Sequence, residues 1–184
     1  MMPKVASKED VRIVDNLLAE NGLSTRLQVI IETNDGLENA YDIAQASPRI
    51  DALFFGGVDM AADLRCQYGW ENLVYARSRV VHAAAGAMLD VLDVPFLDLE
   101  DETGLKDEAV RSWGLGFGGK GAIHPKQIPI INAIFTPSDE AVARARRIVD
   151  AFEAADSGLV VVDGKLIEKP VLREMYRVLA AVGE

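Results

Sequence analysis

Two carboxylates stand where a binding site is easiest to build. Glu32 directly follows the apolar run Leu27 to Ile31, and Asp59 closes the turn Gly56-Gly57-Val58 after the run Ala52 to Phe55. If the two runs are neighbouring parallel strands, about 4.8 Å apart, both acids can converge on one point. Two carboxylates, with water and substrate completing the shell, are a common way of holding Mg²⁺. The same positions also suit acids that cap the helices after each strand. Gly56 and Gly57 fit either view, because glycine lets backbone turn tightly or approach a ligand.

Other polar residues at strand ends are weaker candidates. His124, beside Pro125, can touch substrate or lock its loop by hydrogen bonds. Lys4 can meet an anionic ligand or simply be solvated. Asp93 and Asp98 bracket an apolar run and can orient a ligand, though helix capping is the favoured reading. Lys120 lies in the Gly-rich stretch Gly116 to Gly121, which lacks the spacing of a P-loop. His82 falls inside a long helical pattern, and Arg144, Arg146 and Arg147 read as a solvated helix face. Two histidines and one cysteine do not make a zinc site, and no Ser-His-Asp arrangement can be argued.

The elements that position these residues alternate. Helical spacing is expected over Lys8 to Glu20, Glu38 to Gln45, Glu71 to Met88, Leu105 to Trp113, Pro129 to Phe135 and Asp139 to Ala155. Strands are expected at Met1 to Val5, Leu27 to Ile31, Ala52 to Phe55, Leu92 to Leu97 and Gly121 to Ile123. Strand and helix in turn mean βα units and a parallel sheet, with chemistry at the C-terminal strand ends. About five units can be read, which an open doubly wound sheet or part of a barrel would each accommodate. A hairpin follows, Leu159 to Val162 and Lys165 to Ile167 around Asp163-Gly164, then a helix from Pro170 to Val182. The one boundary expected lies near Ala155 to Gly158, dividing residues 1–155 from a hairpin-helix extension, 156–184.

Composition narrows the classes. The 184 residues carry 19 basic and 29 acidic side chains, a formal charge of −10, and a pI near 4.7. That balance argues against a nucleic-acid partner, which calls for basic patches. No apolar run reaches the roughly 18 residues of a membrane span, so no membrane role is expected. A single cysteine, Cys66, cannot form an internal disulfide, and a cytoplasmic location is the default expectation.

With these residues in place, a resemblance emerges. The stretch from Ile30 to Leu64, I-I-E-T-N-D-G-L-E-N-A-Y-D-I-A-Q-A-S-P-R-I-D-A-L-F-F-G-G-V-D-M-A-A-D-L, resembles the HpcH/HpaI aldolase and citrate lyase family. Further matches are Pro3 to Val5, Y-A-R-S-R at Tyr75 to Arg79, D-V-P-F-L-D-L-E-D at Asp93 to Asp101, G-L-G-F-G-G-K-G-A-I-H-P at Gly114 to Pro125, F-T-P-S at Phe135 to Ser138 and D-G-K-L-I-E-K-P at Asp163 to Pro170. As a set these motifs are highly specific, and the chain looks most like the citrate lyase β-subunit-like branch, which includes malyl-CoA lyases. The resemblance implies an α/β fold of the TIM (β/α)₈ barrel type, present here from the fourth strand onward. Strands one to three, roughly 80 to 100 residues, have no counterpart, nor has the arginine that binds the substrate carboxylate in relatives.

The resemblance also implies roles. Glu32 and Asp59 match the carboxylates that hold Mg²⁺; Lys4, Gly56, Gly57, Val58, His124 and Pro125 are the accompanying candidates for substrate or cofactor binding. Glu168 stands where relatives carry a general-acid aspartate that reaches into a neighbouring subunit. Val58 replaces an acid, and Asn34 an alanine. The implied activity is Mg²⁺-dependent carbon–carbon lysis of a 3-hydroxyacyl-CoA such as malyl-CoA or citryl-CoA, giving a 2-keto acid and an acyl-CoA, or the reverse. Competing readings are a CoA-free 2-keto acid aldolase, a malyl-CoA thioesterase and a truncated non-catalytic fragment. An incomplete barrel has open edges and a bare inner face, so a homo-oligomer or a longer chain is expected, and the resemblance implies that the oligomer is a trimer or hexamer.

Overall fold

A computed structural model describes residues 1–155 and 159–183. The chain divides into two units, Met1–Asn132 and Ala133–Glu184. The boundary expected near Ala155 to Gly158 falls largely on residues 156–158, which lie outside the described residues.

The first unit contains α1 (Lys8–Glu20), β1 (Leu27–Ile31), the short helices α2 (Asn34–Glu38) and α3 (Ala40–Ala44), β2 (Ile50–Phe55), α4 (Gly57–Asp63), α5 (Trp70–Gly86), β3 (Asp90–Asp93), α6 (Glu102–Leu115), β4 (Gly119–Lys120) and a 3₁₀ turn at Pro125–Gln127. Helix α7 (Ile128–Phe135) follows. The strands form one parallel sheet in the order β1-β2-β3-β4. Strands are added in one direction only. A doubly wound sheet would reverse that direction at its switch point, whereas a barrel wall would not.

Register sorts the side chains into two faces. Val29 pairs with Leu53 and Leu53 with Val91, while Ile31 pairs with Phe55. These five are buried; α5 packs against β2 and β3, and its Leu73, Ala76, Val80, Ala83 and Ala84 recur at helical spacing and are buried too. Burying each of the larger aliphatic side chains contributes about 1.5–3 kcal/mol. Gln28, Ile30, Phe54 and Leu92 alternate with the buried set and are only half-buried. Theirs is the face that a closed barrel turns inward.

Several elements differ from expectation for local reasons. The first strand shrinks to a single bridge between Met2 and Val29. Pro3 has no N–H to donate, and Lys4 turns the chain away with φ 51°. Strand β3 starts at Asp90 and stops before Pro95, which likewise cannot extend a ladder. The short strand expected at Gly121 to Ile123 forms at Gly119–Lys120 instead. Beyond it, the Ile123 N–H donates to the Gln127 side chain rather than to a strand. The helix expected at Glu38 to Gln45 is the shorter α3, and a second short helix, α2, precedes it, capped by Thr33, whose hydroxyl accepts from the Gly36 N–H at 3.1 Å.

The second unit holds α8 (Asp139–Glu153), β5 (Val160–Val162), β6 (Lys165–Ile167) and α9 (Lys169–Ala180). Ser138 caps α8. The hairpin turns at Asp163 and Gly164, with φ 51° and 73°, the double left-handed signature of a type I′ turn. Its core gathers Val142, Ala145, Ile148, Val149, Ile167, Met175 and Leu179. Arg144, Arg146 and Arg147 lie on the exposed face of α8. No described helix is long and apolar enough to cross a membrane.

Candidate metal centre

The pairing of Ile31 with Phe55 places the next residues, Glu32 and Gly56, side by side at the C-terminal edge of the sheet. The Gly56 N–H donates to Ile31 O at 3.0 Å. A Cβ on Gly56 would overlap the Glu32 side chain, carboxylate included. Glycine is therefore required here for space, not for an unusual turn. Gly57 starts α4 and is buried against Phe55 and Val94. The first turn of α4 then brings Asp59 back over the strand ends.

Glu32 is 6% exposed. Its Oε1 accepts from the Lys4 backbone N–H at 2.8 Å, and the Lys4 ammonium donates to Asp59 Oδ1, also at 2.8 Å. Burial pushes the Glu32 carboxyl above its ordinary value. The Lys4 amide works against that rise, and the nearby Asp59 charge adds to it. Asp59 moves the other way, chiefly because the Lys4 ammonium hydrogen-bonds its carboxylate. Each carboxyl thus feels its neighbour directly. An open cleft of about 180 Å³ lies over them, lined by Ile30, Glu32, Phe54, Gly56, Val58, Asp59, Val94 and Pro95.

The capping alternative does not account for Glu32, since Thr33 caps the helix that follows it. Asp59 lies in the first turn of α4, but one of its oxygens is committed to Lys4. The donor set suits a hard divalent cation. Two anionic oxygens are supplied, an ammonium already stands against one of them, and Gly56 makes room for the Glu32 side chain itself. Among the described residues no group of three or more His, Cys, Asp or Glu is placed to hold a metal ion. The remaining coordination positions would fall to water or substrate oxygens, as Mg²⁺ prefers.

The other candidates are placed differently. Val58 is exposed at the cleft. His124 does not line it; its Nδ1 accepts from the Lys126 N–H at 3.2 Å and caps the 3₁₀ turn that Pro125 begins. Asp98 braces a local turn by accepting from Glu100. Glu168 belongs to the second unit, where it precedes α9 with an exposed side chain and no capping bond.

A second charged cluster was not anticipated. Asp93 is fully buried and caps no helix, contrary to the favoured expectation. Its Oδ1 accepts from Arg77 Nε at 2.8 Å, and its Oδ2 from Ser112 Oγ at 2.5 Å and Lys120 Nζ at 2.9 Å. Lys120 also donates to Val94 O and Glu108 Oε1, each at 2.7 Å. Burial alone would raise the Asp93 carboxyl. Lys120, Arg77 and Ser112 outweigh it and hold the group below its ordinary range. Tyr68 reaches this cluster, and burial with the Glu108 charge pushes its phenol up to about 12. Arg77 Nη1 is a buried atom without a hydrogen-bond partner. The guanidinium instead lies over the rings of Phe55 and Trp70, at 5.0 and 4.6 Å, a cation–π arrangement. The signal was legible in principle: Arg77 interrupts the apolar face of α5, and Asp93 shares the buried face with Val91.

A one-way parallel arc, here with two acids at its C-terminal rim, belongs to a barrel-type α/β protein. Residues 1–125 match the HpcH/HpaI aldolase/citrate lyase family, and the chain belongs to that family. It is 36% identical over 202 residues to an L-malyl-CoA/beta-methylmalyl-CoA lyase of Rhodobacter capsulatus, covering 95% of this chain and 64% of the relative. It is 35% identical over 178 residues to the citrate lyase subunit beta of Escherichia coli, covering 94% and 59%. The CitE protein of Mycobacterium tuberculosis, solved with magnesium, acetoacetate and coenzyme A, superposes with a TM-score of 0.74 at 28% identity, over 99% of this chain and 67% of that one. The chain thus spans about 64% of the length of the malyl-CoA lyase it matches. Its fold is part of the barrel of these proteins.

Proposed function

We propose that the protein is a Mg²⁺-dependent carbon–carbon lyase. It cleaves a 3-hydroxyacyl-CoA, such as malyl-CoA or citryl-CoA, into a 2-keto acid and an acyl-CoA, or joins them. The observation that carries this reading is the meeting of Glu32 and Asp59 at one rim of the sheet, in a chain whose relatives are named lyases of CoA esters. Mg²⁺ bound there supplies a Lewis acid for the carbonyl oxygen of the keto-acid half. Glu32 and Asp59 provide its anionic ligands. Gly56 gives the Glu32 side chain the room it occupies, and Val58 gives the cleft an apolar border. Glu168 is assigned the general acid that protonates the thioester enolate. It would act in a neighbouring subunit, so a homo-oligomer belongs to the proposal.

The test is a coupled assay of malyl-CoA, methylmalyl-CoA and citryl-CoA with and without Mg²⁺, on the longest natural form of the protein. Glu32→Gln and Asp59→Asn are each expected to abolish Mg²⁺ binding, measured by calorimetry, and with it turnover. Unchanged affinity in both variants would remove the site. Glu168→Gln with full turnover would remove the acid.

A further inference from the structure

We propose that Lys4 is the site's built-in counter-cation, displaced from Asp59 when a divalent cation enters while its backbone keeps hold of Glu32. The inference rests on the metal reading of the Glu32–Asp59 pair and extends it to how the site is loaded. Lys4 engages the pair at two points of very different character. Its amide donates to the buried carboxylate, Glu32 Oε1. Its ammonium donates to the open one, Asp59 Oδ1, in a pair whose side chains are 63% and 50% exposed.

The first contact is part of the backbone. Lys4 sits at φ 51°, a conformation that disfavours side-chain-bearing residues and persists where the surroundings impose it. Here the imposing bonds are visible. Met2, two residues before, is held in the sheet by its N–H to Gln28 O at 2.8 Å and by its carbonyl accepting from Ile30 at 2.9 Å. The Glu32 carboxylate takes the Lys4 amide just beyond. That arrangement fixes one Glu32 oxygen whatever the side chain of residue 4 does.

The second contact is loose. An exposed ion pair contributes little in water, and the four-carbon stem of Lys4 can swing outward without disturbing the core. A divalent ion bound by both carboxylates would lie close to the present position of Nζ, and like charges at such range repel strongly. Ammonium and metal therefore exclude one another on Asp59. Before loading, the ammonium compensates charge at an edge where Asp63 adds a further carboxylate, one that accepts from the Asn34 N–H.

Mn²⁺ alone, titrated into the metal-free 184-residue chain and followed by the paramagnetic signal of the free ion, tests this. Lys4→Met keeps the amide and the stem but removes the charge. Its Mn²⁺ dissociation constant is expected to fall roughly three- to tenfold. Lys4→Gln should move the same way, and Lys4→Arg should restore the wild-type value. Unchanged or weaker binding in both neutral variants overturns the proposal, because Lys4 would then be orienting Asp59 rather than competing for it. Asp59→Asn separates the two levels. If it binds Mn²⁺ as wild type does, the metal reading itself fails. If it loses Mn²⁺ while Lys4→Met changes nothing, the site stands and the displacement of Lys4 does not.

Discussion

The two charged clusters of the first unit use the same chemistry to opposite ends. Around Asp93, two cations (Arg77 and Lys120) face two anions (Asp93 and Glu108) out of water, and Ser112 completes the carboxylate's hydrogen bonds. At the rim, Glu32 and Asp59 share one cation, Lys4, and open onto a cleft. Buried charges need partners in full, since desolvation penalises whatever is left over. A site that opens onto a cleft can stay out of balance, and its surplus negative charge is available to a ligand. Charge balance therefore separates the cluster that builds the fold from the one offered for binding.

Breaking the balanced cluster should have the largest effect. Asp93→Ala strands Arg77 and Lys120 in the core, and is expected to destabilise by about 3–5 kcal/mol, read from the urea midpoint. That is a large part of a domain's typical stability. A loss under about 1 kcal/mol would mean that water reaches the cluster and that the contrast with the rim is false. Gly56→Ala should be milder and aimed at the rim. The new methyl group meets the Glu32 side chain, and about 1–3 kcal/mol of overpacking should appear together with weakened Mg²⁺ binding. Stability falling while metal affinity holds would show that Glu32 is free to move aside. The smallest effect is on acid titration. The Asp93 carboxyl sits below its ordinary value near 3.8 in the folded chain. Its contribution is thus complete above that value and fades only as the pH falls through the lower, folded one. Unfolding of Asp93→Asn should accordingly lose part of the wild-type pH dependence below about pH 4; identical acid slopes would contradict this.

Much of this arrangement was legible beforehand, and the exceptions have physical causes. Leu27 to Ile31 and Ala52 to Phe55 read as strands because apolar runs of that length, followed by polar residues, have few other uses. Glu32 and Asp59 followed from their positions at the ends. Helix α4 was missed because Gly56-Gly57-Val58-Asp59 carries turn residues, whereas the glycines answer to the space that Glu32 and Val94 occupy. Lys120 was taken for a loop residue in a Gly-rich stretch, yet that stretch is where β4 meets β3. The glycines permit close packing there, and a Cβ on Gly119 would strike Leu92. Partnerships such as Arg77 with Asp93, sixteen residues apart, depend on which helix covers which strand. Single-segment periodicity holds no record of that.

The stacking of Trp70 gives the molecule an optical reporter of its own. Of its two tryptophans, Trp113 is 61% exposed, whereas Trp70 is flanked by the guanidinium groups of Arg77 and Arg111, each 4.6 Å from its ring. Unfolding changes the surroundings of Trp70 more than those of the largely exposed Trp113. Changes in intrinsic fluorescence are therefore expected to follow chiefly Trp70, and through it the integrity of the Arg77 layer, with no label attached.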